Sequence, residues 1–275
     1  MSALVSKDSI IEIVRKETSW MVEQRMNKLQ EELHSSMSIS PFLLPILYDL
    51  HHANNFAELG ELLLAGHLMI GHFTSFGKLI DEKVLPKVWG TKKLDAKFRD
   101  STTPFKESCF NDIDHLVPRI DAKPVLLSLK SSRWTINLSA AKELNTAFYE
   151  LLERHLDEYD EIIVGVFNGT QEGLSDKYDI LRGINRGKVH DVKDITSHVK
   201  VLAGRHFWSW MNGGEMATQD WILDGILEGL RDVNCREACR ELLVNYATAF
   251  NRSYEQHLNQ DGTINWYGLL SEING

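Results

Sequence analysis

The sequence predicts an α/β protein of the α+β kind, a mixed central sheet flanked by helices with a helical subdomain drawn from both chain ends. Three observations predict it. Residues 1–90 and 206–275 carry apolar side chains at helical spacing. Residues 91–205 hold short runs rich in Val, Ile and Leu, bounded by Pro, Gly and Asn. One helical pattern lies between two of those runs, as a crossover helix does between parallel strands. The expected divisions follow: 1–90 a helical region for dimerisation and cover, 91–205 an α/β core, and 206–275 a helical region packing with the N-terminal helices.

Taken in order, Lys7 to about Leu33 reads as a long amphipathic helix, with Ile10, Ile11, Val14, Trp20 and Met26 recurring among charged residues. Ser40-Pro41 reads as a helix start, and Pro45 as a break or kink soon after it. Phe56 to about Ile70 and Ser75 to Val88 read as two further helices, the second closed by Gly90. A hairpin follows, with strands Cys109–Val117 and Pro124–Lys130 joined by the turn Pro118–Lys123. Arg133 to Asn137 is a β-prone run, and Ser139 is placed to cap a helix to about Leu156. Glu161–Phe167 is a buried strand ended by Asn168-Gly169; Lys177–Leu181 and Val199–Ala203 are expected as further strands. Helices are expected again at Phe207–Met211, Thr218–Val233, Asn234–Leu258 and Trp266–Ile273.

Composition narrows the function classes. The 275 residues are 43% hydrophobic and 25% charged, ordinary for a soluble globular protein. No apolar run reaches membrane-span length, and the N-terminus lacks the apolar stretch of a signal peptide. Cys109, Cys235 and Cys239 make no disulfide framework, so free thiols in a reducing cytoplasm are expected. A net charge of −9 argues against indiscriminate coating of nucleic acid, while allowing a local basic cleft between acidic faces. No Gly-rich loop has a lysine at phosphate-binding spacing, and His51, His52, His67 and His72 lack the zinc spacing of H-E-x-x-H, so no organic cofactor is expected. Trp208 and Trp210 read as packing residues, and His115 as a structural one.

The chemistry concentrates in the hairpin. Alternate residues of a strand share a face, so Asp112 pairs in direction with Asp114, and Ser128 with Lys130. With the turn centred on Asp121, Asp114 falls opposite Ser128 and Asp112 opposite Lys130, with Cβ atoms roughly 5 Å apart. A carboxylate suits magnesium, and an ammonium beside it steadies a phosphate or a nucleophilic water. The plain alternative is a solvated cross-strand ion pair. Against it stands the near-continuous apolar run Val125-Leu126-Leu127, because a lysine closing a buried strand needs a partner or a task.

Gly77-Lys78-Leu79-Ile80-Asp81-Glu82, Ile113-Asp114, Ser128-Leu129-Lys130 and the helix from Ser139 together resemble the PD-(D/E)-x-K nuclease superfamily. Val164-Gly165-Val166-Phe167, Asp176-Lys177-Tyr178, Leu181-Arg182-Gly183-Ile184-Asn185 and Phe207-Trp208-Ser209-Trp210 extend the likeness to type II restriction endonucleases that read a split GG-N-CC site. The resemblance implies a restriction-endonuclease-like core and Mg2+-dependent cleavage of both strands of palindromic, interrupted duplex sites by a homodimer. It implies Asp114 as the main metal ligand and Lys130 as the residue that orients water and offsets transition-state charge. The pattern departs from the superfamily at Ser128, where an acid is usual; related enzymes with serine there take the acid from the crossover helix, where Glu143 stands. Asp112, Asp81 and Glu82 are the other candidates for the second acid.

Lys177, Arg182, Asn185 and Arg186 form a basic, turn-rich stretch, and Arg133 and Trp134 follow the proposed metal site. These six are expected to line a DNA cleft, with Arg182 or Arg186 against guanine. Two rival expectations stand beside restriction: a repair or junction-specific nuclease of the same superfamily, and a non-enzymatic helical interaction protein in which Asp114 and Lys130 form only a salt bridge.

Overall fold

A computed structural model of the chain describes residues 4–32, 40–131 and 136–275. These fall into two compact units, Met1–Glu17 with Gly77–Gly229, and Thr18–Phe76 with Leu230–Gly275. Residues 77–90 and 206–229, expected among the terminal helices, therefore belong to the unit that contains the sheet.

In chain order the helices are α1 (Lys7–Glu32), α2 (Leu43–Leu50), α3 (Phe56–Lys78), a π-helical stretch (Leu79–Val84) and α4 (Leu85–Trp89). Then come α5 (Ala96–Ser101), α6 (Leu138–His155), α7 (Lys177–Ile180), α8 (Arg205–Met211), α9 (Thr218–Asp232), α10 (Cys235–Tyr254) and α11 (Trp266–Asn274). The strands are β1 (Lys92–Lys93), β2 (His115–Val117), β3 (Val125–Lys130), β4 (Ile162–Val166) and β5 (Val199–Ala203). They form one mixed sheet in the order β1-β2-β3-β4-β5, flanked by helices: an α+β architecture. The first two pairings are antiparallel and the last two parallel, with α6 carrying the chain from β3 to β4.

The sheet explains the site's position. Val125, Leu126, Leu127 and Ser128 are buried, as are all five residues of β4. Leu126, Ile162, Val164, Val199 and Val201 share one core with Ala141, Leu144, Phe148 and Leu151 of α6. Strand alternation therefore puts Ser128 and Lys130 on the face that α6 covers, toward the C-terminal end of β3. On β4, a Cβ at Gly165 would lie 2.4 Å from the Phe207 ring, so only glycine lets α8 approach this closely. The N-terminal segment is tied in by Asn212, whose Oδ1 accepts from the Val5 amide at 2.7 Å.

The second unit has its own core. Phe56, Leu59 and Leu63 of α3 pack with Leu44 of α2 and Leu269 of α11, and Leu64 and Leu68 pack with Leu242 and Tyr246 of α10.

Several elements differ from expectation. The two helices expected between Phe56 and Val88 run on without a break, through Gly71 and Gly77, into the π-helical stretch. Gly90 closes them in the left-handed conformation, φ +65°. Pro45 does not kink α2, because it lies in the first turn, where its missing N–H has no helical partner to lose. Residues 108–113 are not strand: Ser108–Phe110 form a 3-10 turn, and Asn111-Asp112 turn the chain toward β2. Lys177–Ile180 is a single helical turn that buries Tyr178 and Ile180. Such a short apolar run has no period long enough to separate helix from strand. Asn137, not Ser139, caps α6 by accepting from the Ala140 amide at 2.9 Å. The β-prone run at 133–135 lies outside the described residues.

Candidate functional site

The hairpin register is the one expected. His115 pairs with Leu127, Leu116 with Leu126 and Val117 with Val125, around a turn in which Asp121 adopts φ +52°. One further step places Asp114 against Ser128. The Asp114 amide donates to the Leu127 carbonyl at 2.8 Å, holding the residue at the mouth of β2. Its Oδ2 accepts from the Leu129 amide at 2.6 Å. Ser128 is fully buried, and Lys130 reaches back over it, Nζ donating to Oγ at 3.2 Å.

The charge on Asp114 is incompletely offset. Burial pushes its carboxyl above the ordinary aspartate value. The Leu129 amide and the Lys130 charge pull the other way, and the Asp81 carboxylate adds to the rise. Among the described residues, Asp114 Oδ1 accepts no hydrogen bond. A half-buried carboxylate with one oxygen open and too little positive charge around it is a place where a hard cation lowers the energy. A single carboxylate of this kind is compatible with magnesium, which binds through one or two carboxylates and keeps several waters.

The other expected ligands are placed as follows. Glu143 stands on α6 outside the buried stripe of Ala141, Leu144, Phe148 and Leu151; it is exposed, and its Oε1 accepts from Ser139 Oγ at 3.0 Å. Asp112 sits in the turn before β2, so strand parity no longer aligns it with Asp114 or sets it opposite Lys130. Glu82 is engaged by Lys93 Nζ at 3.1 Å. Asp81 has both oxygens occupied, Oδ1 by His115 Nε2 at 2.6 Å and Oδ2 by Lys93 Nζ at 2.5 Å. Burial would raise Asp81, but its bonds to His115 and Lys93 outweigh burial and hold it below the usual range. His115 is wholly buried between Thr91 and Asp81, with Nδ1 3.0 Å from Thr91 Oγ1 and Nε2 on Asp81.

Of the expected DNA-facing residues, Arg133 and Trp134 lie outside the described residues. Arg182 and Arg186 converge on Asp179, at 2.9 Å to Oδ1 and 2.6 Å to Oδ2. Lys177 pairs with Asp176 at 2.5 Å. Asn185 closes the loop by accepting from the His190 amide at 2.8 Å. Buried Asn145 of α6 pins the same loop, bonding the Leu181 carbonyl at 3.0 Å and the Lys193 amide at 2.7 Å. The arginines therefore project from a braced platform, and the Arg186 side chain stays 71% exposed.

A second cluster was not anticipated. Glu107, Cys109 and His155 each bring a ligand atom within 4.8 Å of the others, a possible metal-binding triad. Glu107 precedes the 3-10 turn, Cys109 lies within it and His155 ends α6, so nothing in linear spacing announces the group. Trp208 packs as expected, its Nε1 donating to the Phe167 carbonyl at 3.0 Å. Among the described residues, no helix is long and apolar enough to cross a membrane. The sequence matches no protein-family model, and a search of the curated proteins finds no match.

Proposed function

We propose that this protein is a site-specific, Mg2+-dependent deoxyribonuclease that cuts both strands of duplex DNA as a homodimer, in the manner of type II restriction endonucleases. The observation that carries the reading is the pairing of an under-compensated Asp114 with Lys130 on one face of the β2–β3 hairpin. Asp114 anchors the ion, and Glu143 offers a second carboxylate from the helix that covers the same face. The bound ion supplies a polarised phosphate and an acidified water. Lys130, held over Ser128, presents its ammonium where charge builds on the phosphoryl oxygens. The antiparallel hairpin followed by a helical crossover into parallel strands agrees with a restriction-endonuclease-like core. Arg182 and Arg186, fixed by Asp179, have the forked donors suited to guanine edges. A two-fold site calls for a two-fold protein. Met69, Ile70 and Phe73, all exposed along α3, give a second copy an apolar surface to cover.

The test is digestion of a long duplex of known sequence. With Mg2+, discrete fragments sharing one end sequence are expected. Fragments whose ends follow junctions or lesions would favour the repair nuclease, and intact DNA would favour the non-enzymatic reading.

A further inference from the structure

We propose that Glu107, Cys109 and His155 bind a zinc ion that staples the 3-10 turn before β2 to the C-terminal end of α6. The inference does not rest on nuclease activity.

The geometry comes first. His155 Nε2 lies 3.3 Å from Glu107 Oε2. Zinc bonds near 2.0–2.1 Å to nitrogen and oxygen make the edge of a tetrahedron about 3.3 Å. The Cys109 sulfur lies within 4.8 Å of a ligand atom of each of the other two, and has to draw closer than that to share one ion with them. The other ring nitrogen of His155, Nδ1, lies 2.8 Å from Glu158 Oε1. A carboxylate behind a ligating histidine fixes the tautomer that leaves Nε2 for the metal.

Charge and chemistry agree. Cys109 and His155 are buried at the rim of the sheet core, and Glu107 is half-exposed, leaving the fourth position to water. A thiolate with an imidazole selects zinc over magnesium, which prefers oxygen alone. Binding forms Zn–S, Zn–N and Zn–O bonds and releases the thiol proton of Cys109 and, where His155 is charged, its Nε2 proton. Arg154 lies 3.0 Å from Glu107 and 2.8 Å from Glu150. One guanidinium thus meets two carboxylates, Glu107 and Glu150, while Glu158 adds a third at His155 Nδ1, so carboxylates outnumber arginine around the pocket.

The test is titration of chelator-stripped full-length protein with Co2+ and with Zn2+. Expected are saturation at about one ion per chain, a thiolate-to-cobalt charge-transfer band with tetrahedral visible bands, and a higher melting temperature with Zn2+. Cys109→Ser loses the band, and the double variant Cys235→Ser/Cys239→Ser keeps it. X-ray absorption at the zinc edge of the unmutated protein shows one sulfur, a readout that holds even where Cys109→Ser fails to fold. Cobalt bound without a thiolate band, a band that survives Cys109→Ser, two sulfurs per zinc, or no binding at micromolar metal would each overturn the proposal.

Discussion

The two ends of the α6-covered face offer a divalent ion opposite kinds of company. At the mouth of the hairpin the donor is a hard oxygen, the Asp114 carboxylate, and the Lys130 ammonium is a positive charge that acts on it. At the far end of α6 the donors are a thiol, an imidazole and a carboxylate, braced by Glu158 and Arg154. The first arrangement suits an ion that keeps its waters and exchanges them. The second suits an ion held for good. On the proposed reading, one unit of the protein would keep a reactive site and a structural site apart by donor type alone.

The sharpest way to break this contrast is to remove its reactive half. Lys130→Ala should lower Mg2+-dependent cleavage by about 10²–10³-fold, the usual effect of deleting one group that meets developing charge. Asp114→Asn should do at least as much. Both variants should keep the thiolate–cobalt band, which single-turnover rates and absorption spectra on the same preparations would report. Loss of both signals together would mean that the two sites are one cooperative structure.

Removing the other half should do the reverse. Cys109→Ser should abolish the band while single-turnover cleavage stays at the unmutated level, measured where circular dichroism shows both proteins folded. A cleavage rate that fell with the band would move the soft site into the reaction.

The basic platform comes next in size. Arg182→Ala should cost about 1–3 kcal/mol in discrimination against the wrong base and relax specificity at one position. Asp179→Asn should have a smaller effect in the same direction, because it frees both guanidinium groups without deleting either. Sequencing of cleaved ends from a random-site library reads both. Uniform weakening on every sequence would assign Arg182 to a phosphate instead.

The smallest effect concerns a carboxylate with ample compensation. Glu161, at the entry to β4, is nearly buried, and burial alone would raise it. Bonds from Lys200 and Arg119 outweigh that and hold it below the ordinary glutamate range. A depressed folded value stabilises the protein above the unfolded pKa, about 4.3. That contribution is lost as pH falls through the folded value. Denaturant midpoints should therefore fall below about pH 4.3, and Glu161→Gln should flatten that fall. Asp114 has the opposite sign: its raised value means that folding favours its neutral form.

The sequence made the sheet legible where alternation was long enough to count. The hairpin register followed from Asp121, a turn residue able to take positive φ, between the apolar run of β3 and Leu116-Val117. It failed where runs were short. Residues 109–113 carry the strand-like apolar side chains of Cys109, Phe110 and Ile113, yet all three are buried from a turn that Arg99 closes, its guanidinium donating to the Ile113 carbonyl at 2.7 Å. Lys177–Ile180 failed for the same reason. The juxtaposition of Asp114, Ser128 and Lys130 was legible because hairpin register is local. That of Glu107, Cys109 and His155 was not, because the chain separates the turn from the end of α6 and only packing brings them together. The double hold of Asp179 on Arg182 and Arg186 also needed the structure, because it depends on Lys177–Ile180 being a helical turn and not a strand.

The most direct measurement is a crystal structure of the protein soaked in Mn2+, with anomalous diffraction collected at the manganese edge. An anomalous peak at bonding distance from Asp114 Oδ1, on the Lys130 side of the hairpin, is the predicted result. A fully occupied metal elsewhere with none at Asp114, or Lys130 turned away from the peak, would contradict it.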